Sequence, residues 1–445
     1  MKKIIGVLMF ATLSISLVAN EINNSKTIMN LDGLLNLVKQ NKEIKISEFK
    51  RQMSVFDFKK TKALDYGTLD LNIQGLRTDH SGAIFGMKLN ERVVKGADLN
   101  PASNFAAINY PEDRSSWESK LTFSLPLYTG NKISAYKKIT KELITISTLD
   151  KQNLINKKQF EVKKGFYSIV LIEELIIQIG TIKTNTEFLR NSVNELKIEG
   201  YATKTDLLLI DARLAEIDSL LHQLNTNKEL ALHFVSFLTS KKIDGITYTK
   251  DNLIFTNISD DKLLTQNIDI QKAKKAIEIK KNQVLVSSSA YLPEVGLMGE
   301  YGSNNENMFG NLKDHDYYMI GVGAKWNIFN GGATNNDYSK AKINLLKQKT
   351  TLNYAKEGLL LKADDIRTKI KNLNFKLNSL NKEKAYKKQI FENFKESHKE
   401  QRASMNDVLI HQSKYIQTLM KLEENKNLRY EEIFKFETLY NGEEI

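Results

Sequence analysis

The residues that could do chemistry are few and poorly placed for it. The six histidines, His80, His222, His233, His315, His398 and His411, are scattered. No two sit at the spacing that brings a pair of imidazoles onto one helix face around a metal. The 53 acidic residues offer no pair singled out as a general acid and base. Cysteine is absent, which excludes a thiolate nucleophile, a disulfide framework and a lipidated N-terminal cysteine. The glycine pattern in "GVGAKW" (321–326) lies inside an alternating run and opens no helix, so it does not cradle a phosphate. These readings point away from an enzyme and assign no catalytic residue, metal or cofactor. Two carboxylates do stand out. Thr203-Lys-Thr-Asp206 and Ser404-Met-Asn-Asp407 both fit the capping box, in which hydroxyl and carboxylate satisfy each other's backbone N–H groups at a helix start.

Those two boxes lie 407 − 206 = 201 residues apart, and the spacing recurs. "SKLTFSLPLYTGNKISAYKK" (119–138) returns, altered, as "GVGAKWNIFNGGATNNDYSK" (321–340). Tyr128 matches Phe329 and Gly130 matches Gly331, at 329 − 128 = 201. Earlier in each half, Asn41 matches Asn267 and Leu71 matches Leu297, at an offset of 226. The difference, 226 − 201 = 25 residues, places an insertion in the first copy's loop, within 78–116. The expectation is a tandem duplication of helix, strand, loop, strand, long helix, turn and return helix. Residues 1–19 read as a signal peptide, 20–238 as the first repeat, 239–262 as a linker and 263–445 as the second repeat.

The start of the chain, "MKK" followed by "IIGVLMFATLSISLVA", has a charged n-region and a short apolar h-region, with an uncleaved anchor as the alternative. No later stretch is apolar without interruption for the eighteen or so residues of a membrane helix; "YSIVLIEELIIQI" (167–179) is broken by Glu173 and Glu174. The formal charge of +12 comes from lysines spread among nearly as many acids, without a nucleic-acid-binding motif, so an exported basic surface is the better reading.

The strands are legible as alternation. Leu69, Leu71 and Ile73 alternate with Asp70, Asn72 and Gln74; Trp117, Leu121, Phe123 and Leu125 with Glu118, Thr122 and Ser124; and Ile320 through Ile328 with Gly321, Gly323, Lys325 and Asn327. Period two with one apolar face fits a half-buried sheet and equally a membrane barrel strand. Four strands cannot close a barrel, for which about eight is the minimum, so several copies would be needed. Trp117 with its counterpart Tyr318, and Trp326, form an expected aromatic girdle. A soluble sandwich core is the alternative, but a lone four-strand set has nothing else to pack on.

Only Pro101, Pro111, Pro126 and Pro293 occur, which leaves 127–292 and 294–445 free of proline and open to very long helices. Residues 134–199 would span about 100 Å if helical throughout. Leu207, Ile210, Leu214, Ile217, Leu221 and Leu224 form a heptad seam. Its counterpart, Val408 to Leu422, carries His411 and Thr418 on the seam, which a channel-lining or partner-facing side would explain and ordinary sequence drift would explain equally.

Taken together, the paired "PLYTGN" (126–131) and "NIFNGG" (327–332), the paired "GYATKTDLL" (200–208) and "QRASMNDVL" (401–409), and "SSAYLPEVGL" (288–297) resemble the TolC-like outer-membrane efflux protein family over roughly 27–440. The resemblance implies a membrane α+β fold. Three protomers each give four strands to a twelve-stranded transmembrane β-barrel, continued across the periplasm by a long α-helical coiled-coil barrel. It implies a passive exit duct in the outer membrane, a homotrimer without cofactor or nucleic acid, docked to a periplasmic adaptor and an inner-membrane pump. A type I protein-secretion duct shares that architecture. A non-porous coiled-coil adaptor or scaffold is the alternative of another class. The barrel-to-helix transitions fall at Pro126, Tyr128, Gly130, Phe329, Gly331 and Gly332, and the adaptor-facing turns at Gly200, Thr203, Lys204, Ser404 and Met405. Asp407, and with it Asp206, falls at the periplasmic gate. The chain departs from the family pattern at Asn131 and Gln401, which replace glycines, at Asn327, where proline is frequent, and at Ile410, where a second gate aspartate would stand.

Overall fold

The computed structural model describes residues 26–249, 253–308, 310 and 314–440, so the expected signal segment lies outside it. In chain order the elements are β1 (Ile28–Met29), α1 (Leu31–Val38), α2 (Lys42–Ala63), β2 (Thr68–Thr78), α3 (Ser81–Asn90), α4 (Ala106–Asn109), β3 (Arg114–Tyr128), α5 (Lys132–Ile198), α6 (Lys204–Thr239), β4 (Gly245–Ile246), α7 (Asp260–Gln266), α8 (Ile268–Ser289), β5 (Glu294–Asn305), β6 (Asp316–Lys325), α9 (Ala333–Lys399) and α10 (Met405–Glu437). Three short 3-10 turns complete the list among the described residues.

β2, β3, β5 and β6 form one antiparallel sheet in that order, leaving β2 and β6 as edges. Opposed residues share a face. The row Leu71, Leu121, Tyr301, Tyr318 runs across the apolar face, and the row Asp70, Thr122, Glu300, Met319 across the other. Glycine faces an aromatic ring once on each side. A Cβ on Gly75 would meet the Trp117 ring at 2.8 Å, and one on Gly302 would meet the Tyr317 ring at 2.7 Å. The β2–β3 connection, 79–113, has 35 residues and the β5–β6 connection, 306–315, has 10; the difference is the 25 expected from the offsets.

The alternation that suggested a strand through Ile328 stops at Lys325. The reason is the partner. β5 begins at Glu294, just after Pro293, and its pairing with Lys325 is the last rung available. Trp326 instead donates its indole N–H to the Tyr291 carbonyl at 3.1 Å, and Ile328 and Phe329 are exposed.

α5 and α9 each have 67 residues, about 100 Å of continuous helix. Gly165 does not break α5. It admits α6, because a Cβ there would lie 2.8 Å from Val235 Cγ2. The apolar stretch of α5 is core rather than membrane span: Ile169, Val170, Leu171, Leu175 and Ile179 are buried. At the far end of the helices, α5, α6, α9 and α10 share one apolar core. Leu207, Ile210, Ile217 and Leu224 of the expected seam are buried in it, with Leu214 and Leu221 packed alongside.

Nearer the sheet, two buried asparagines play equivalent parts. Asn41 caps α2 and donates to the Leu238 carbonyl at the end of α6; Asn267 caps α8 and donates to the Leu439 carbonyl after α10. Each ties a strand-proximal helix to a returning one. Each amide is satisfied on both sides, which a buried polar group requires.

Candidate lumen face, transitions and helical tip

The polar face of the sheet carries a compact hydrogen-bonded group. The Tyr317 hydroxyl lies 2.8 Å from a Glu300 carboxylate oxygen and 3.1 Å from one of Glu118, and its single proton bonds one of them at a time. Lys120 Nζ lies 3.7 Å from each of the same carboxylates. The alternating patterns named Glu118 on this face but gave no reason to join it to Glu300 or Tyr317. That link needs the register, which sets Lys120 opposite Gly302 and Gly302 opposite Tyr317. On the apolar face Trp117 and Tyr318 are brought to the same end of the sheet. Trp326 is separated from them, beyond the end of β6.

The transitions into the long helices depend on left-handed backbone. Gly130 (φ 58°) and Asn131 (φ 67°) precede α5, and Gly331 (φ 66°) and Gly332 (φ 84°) precede α9. Asn131 keeps the conformation of the glycine it replaces, as asparagine does more readily than most residues. Pro126 and Tyr128 flank a register shift at the end of β3, where proline can withhold an N–H from the ladder. Gly67, which the repeat pattern did not mark, is as demanding: it has φ 70°, and a Cβ there would meet the Ser124 carbonyl oxygen at 2.1 Å.

The tip has two turns of one design. Gly200 (φ 83°) ends α5, and Tyr201 N–H donates back to the Leu196 carbonyl at 2.7 Å. Gln401 (φ 60°) ends α9, and Arg402 N–H donates to the Ser397 carbonyl at 2.8 Å. Both are Schellman-type stops. The capping boxes form as expected: Asp206 N–H donates to Thr203 Oγ1 and Asp407 N–H to Ser404 Oγ, each at 3.2 Å, and each carboxylate accepts the hydroxyl in return at 2.6 Å. Those bonds from Thr203, side chain first and backbone second, hold the Asp206 carboxyl below the usual aspartate range.

Lys204 and Thr203 are exposed at the first turn and Ser404 at the second, but Met405 is 2% exposed and belongs to the apolar core beneath the turn. Met405 therefore supports the tip from inside rather than facing a partner. The polar positions of the α10 seam are packed against neighbouring side chains to different degrees. Thr418 is buried, and half-buried His411 stacks on Phe394 with ring centroids 4.2 Å apart. Gln412, unmarked in the sequence, is 1% exposed; it donates to Thr186 Oγ1 at 2.8 Å and accepts from Arg213 at 3.1 Å, which joins α10, α5 and α6.

Residues 261–400 match the family model of outer membrane efflux proteins. Among curated proteins, none matches. The whole fold is similar to solved outer-membrane channels. CusC, whose structures describe transmembrane channel formation, superposes with a TM-score of 0.78 at 14% identity, covering 96% of each chain. The Campylobacter jejuni CmeC outer membrane channel gives 0.74 at 16% identity over 96% of this chain and 90% of its own. The open state of the Neisseria gonorrhoeae MtrE outer membrane channel gives 0.73 at 14% identity over 94% and 90%. The matched family consists of outer-membrane channels rather than enzymes, in agreement with the expected location and the expected lack of catalysis.

Proposed function

We propose that this chain, with its outer membrane efflux protein domain and channel-type fold, is the outer-membrane exit duct of a tripartite efflux system. It conducts passively what an inner-membrane pump and a periplasmic adaptor deliver. The observation that carries this reading is the unfinished state of the single protomer. The sheet has two open edges, β2 and β6, and an apolar face on which Leu69, Leu71, Ile320 and Val322 are all exposed. Below it, α2 exposes Ile46, Phe49, Met53 and Phe56 at heptad spacing, and α9 exposes Ile343, Leu346, Tyr354 and Leu361. An open hydrophobic edge strand aggregates unless it is paired. Pairing β6 with β2 of a second copy, and α9 with its α2, closes the wall when three copies complete a twelve-stranded barrel. The apolar face then meets lipid and the polar face, with Glu118, Lys120, Glu300 and Tyr317, lines the lumen. The equivalent roles of Asn41 and Asn267 support an internal duplication.

Extraction in mild detergent followed by mass measurement should give three copies. A soluble monomer without membrane association overturns the proposal. A type I secretion duct is separated from a drug duct by a deletion strain, through its secreted proteins and its drug sensitivity. A non-porous scaffold predicts no conductance in planar bilayers. In the trimer Asp407, and less directly Asp206, would ring the periplasmic mouth and favour cations. Asp407→Asn should then reduce cation selectivity; unchanged selectivity makes Asp407 a helix cap only.

A further inference from the structure

The 35-residue connection between β2 and β3 is tied back to the rim of the sheet. Just after α3, Glu91 is 1% exposed, and its two carboxylate oxygens are taken by Arg114 and by the Ser116 hydroxyl, the latter at 2.8 Å. A carboxylate is held in such a place only when it is paired. Arg114 and Ser116 lie on β3 four and two residues before Glu118, and alternation puts all three on the polar face. The next residue goes elsewhere: Arg92 donates to the Asp316 carbonyl at the start of β6, at 2.7 Å. Arg92 has φ 57°, a left-handed conformation uncommon for a residue with a side chain, and that reversal is what sends neighbouring side chains to two different strands. Arg114 also pairs with Glu306 at 2.6 Å, so the same guanidinium ties the start of the second connection.

We infer that residues 79–113 form an inward-folded strap across the rim of the sheet on its polar-face side, latched by Glu91 to Arg114 and Ser116 on β3 and tied by Arg92 to β6. A loop directed away from the rim could not deliver Glu91 to Ser116, and β3 and β6 are separated by the whole of β5. The inference rests on the duct reading, in which the polar face lines the lumen. Three straps, one over each third of the wall, then narrow the outer mouth and shield the lumen from large molecules outside.

The absence of cysteine makes the test clean. Asn72→Cys puts one thiol on the polar face, in the row with Lys120 and Tyr317, and Lys95→Cys puts one on the exposed strap. Intact cells are treated with a maleimide carried on a polymer too bulky for porins. Lys95→Cys should label quickly and Asn72→Cys slowly. Adding Glu91→Gln, or separately Arg92→Ala, to Asn72→Cys should raise its labelling several-fold toward the Lys95→Cys rate. Arg92 is exposed, so its replacement keeps the test valid if the buried Glu91 variant fails to assemble. Asn72→Cys labelling as fast as Lys95→Cys with the strap intact overturns the inference, and so does slow labelling in both unlatched variants. Lys95→Cys silent on intact cells, but labelled after permeabilisation, instead overturns the duct topology itself.

Discussion

Gly200 and Gln401 stand at the same point of two turns, 201 residues apart, with φ of 83° and 60°. Both turns close with the same backward hydrogen bonds and the same capping box, yet they rest on different supports. The first is capped over an exposed Lys204. The second is capped over a buried Met405 and is further held by His398, whose Nδ1–H donates to the Ala403 carbonyl at 2.9 Å. One backbone solution has thus been kept while its anchoring moved. In the first turn glycine supplies the conformation at no steric cost. In the second, a glutamine adopts it at a conformational cost.

The comparison breaks most visibly at the twin positions Lys204 and Met405. Met405→Ala removes a side chain from a closed core and should cost ~2–5 kcal/mol. Lys204→Ala, at the equivalent exposed position, should stay within about 0.5 kcal/mol. Thermal unfolding of the detergent-solubilised protein reads both. Equal shifts would mean that the two turns are supported alike.

The next effect exchanges the stopping residues. Gly200→Gln adds a Cβ at φ 83°, where no atom lies within 4 Å of it, so the penalty is purely conformational. It should be about 1–2 kcal/mol. Gln401→Gly relieves that strain but frees the unfolded chain, for a net gain of up to about 1 kcal/mol. If Gln401→Gly destabilises, its side chain anchors the turn, and the second turn is then the more specialised of the two.

Much of this plan could be read before the fold was known. Strands announced themselves because a two-faced sheet must alternate, and turns because only a few residue types tolerate φ near 60°. The long helices followed from the spacing of four prolines. What stayed hidden depended on partners distant in the chain. Met405 follows a capping serine and looks like surface; only the core shared by α5, α6, α9 and α10 buries that position. Gln412 is unmarked in the sequence because Thr186, which satisfies it, lies 226 residues away. The end of β6 was set by where β5 begins, not by its own pattern. The latch at Glu91 was invisible because nothing local pairs that carboxylate.

A smaller effect tests whether the caps are equivalent. Thr203→Ala and Ser404→Ala each remove a hydroxyl that accepts from the third residue of a helix, and each should cost ~1 kcal/mol. Similar losses would show that capping is common to the two turns and that their difference lies in Met405. A markedly larger loss for Ser404→Ala would mean that the cap and the core beneath it act together, and the Met405→Ala, Ser404→Ala double variant would then fall short of additivity.

The smallest effect is the pH response of the first cap. Thr203 holds the Asp206 carboxyl below the ordinary aspartate range, through its hydroxyl and then its backbone N–H, with His398 adding a weaker attraction. A carboxyl whose folded pKa is lowered favours the folded state wherever it is ionised. That contribution is complete above the ordinary value of about 3.9 and is lost as pH falls through the lower folded value. Asp206→Asn gives up the contribution at neutral pH but no longer loses it in acid. Melting temperatures taken between about pH 6 and pH 3 should therefore fall less for Asp206→Asn than for the parent protein. Thr203→Ala should flatten the profile in the same way, because it removes the hydroxyl that lowers the pKa, even though the carboxylate remains. If Asp206→Asn and the parent fall in parallel, the acid sensitivity of the tip arises from other carboxylates, and the first cap is a matter of geometry rather than of charge.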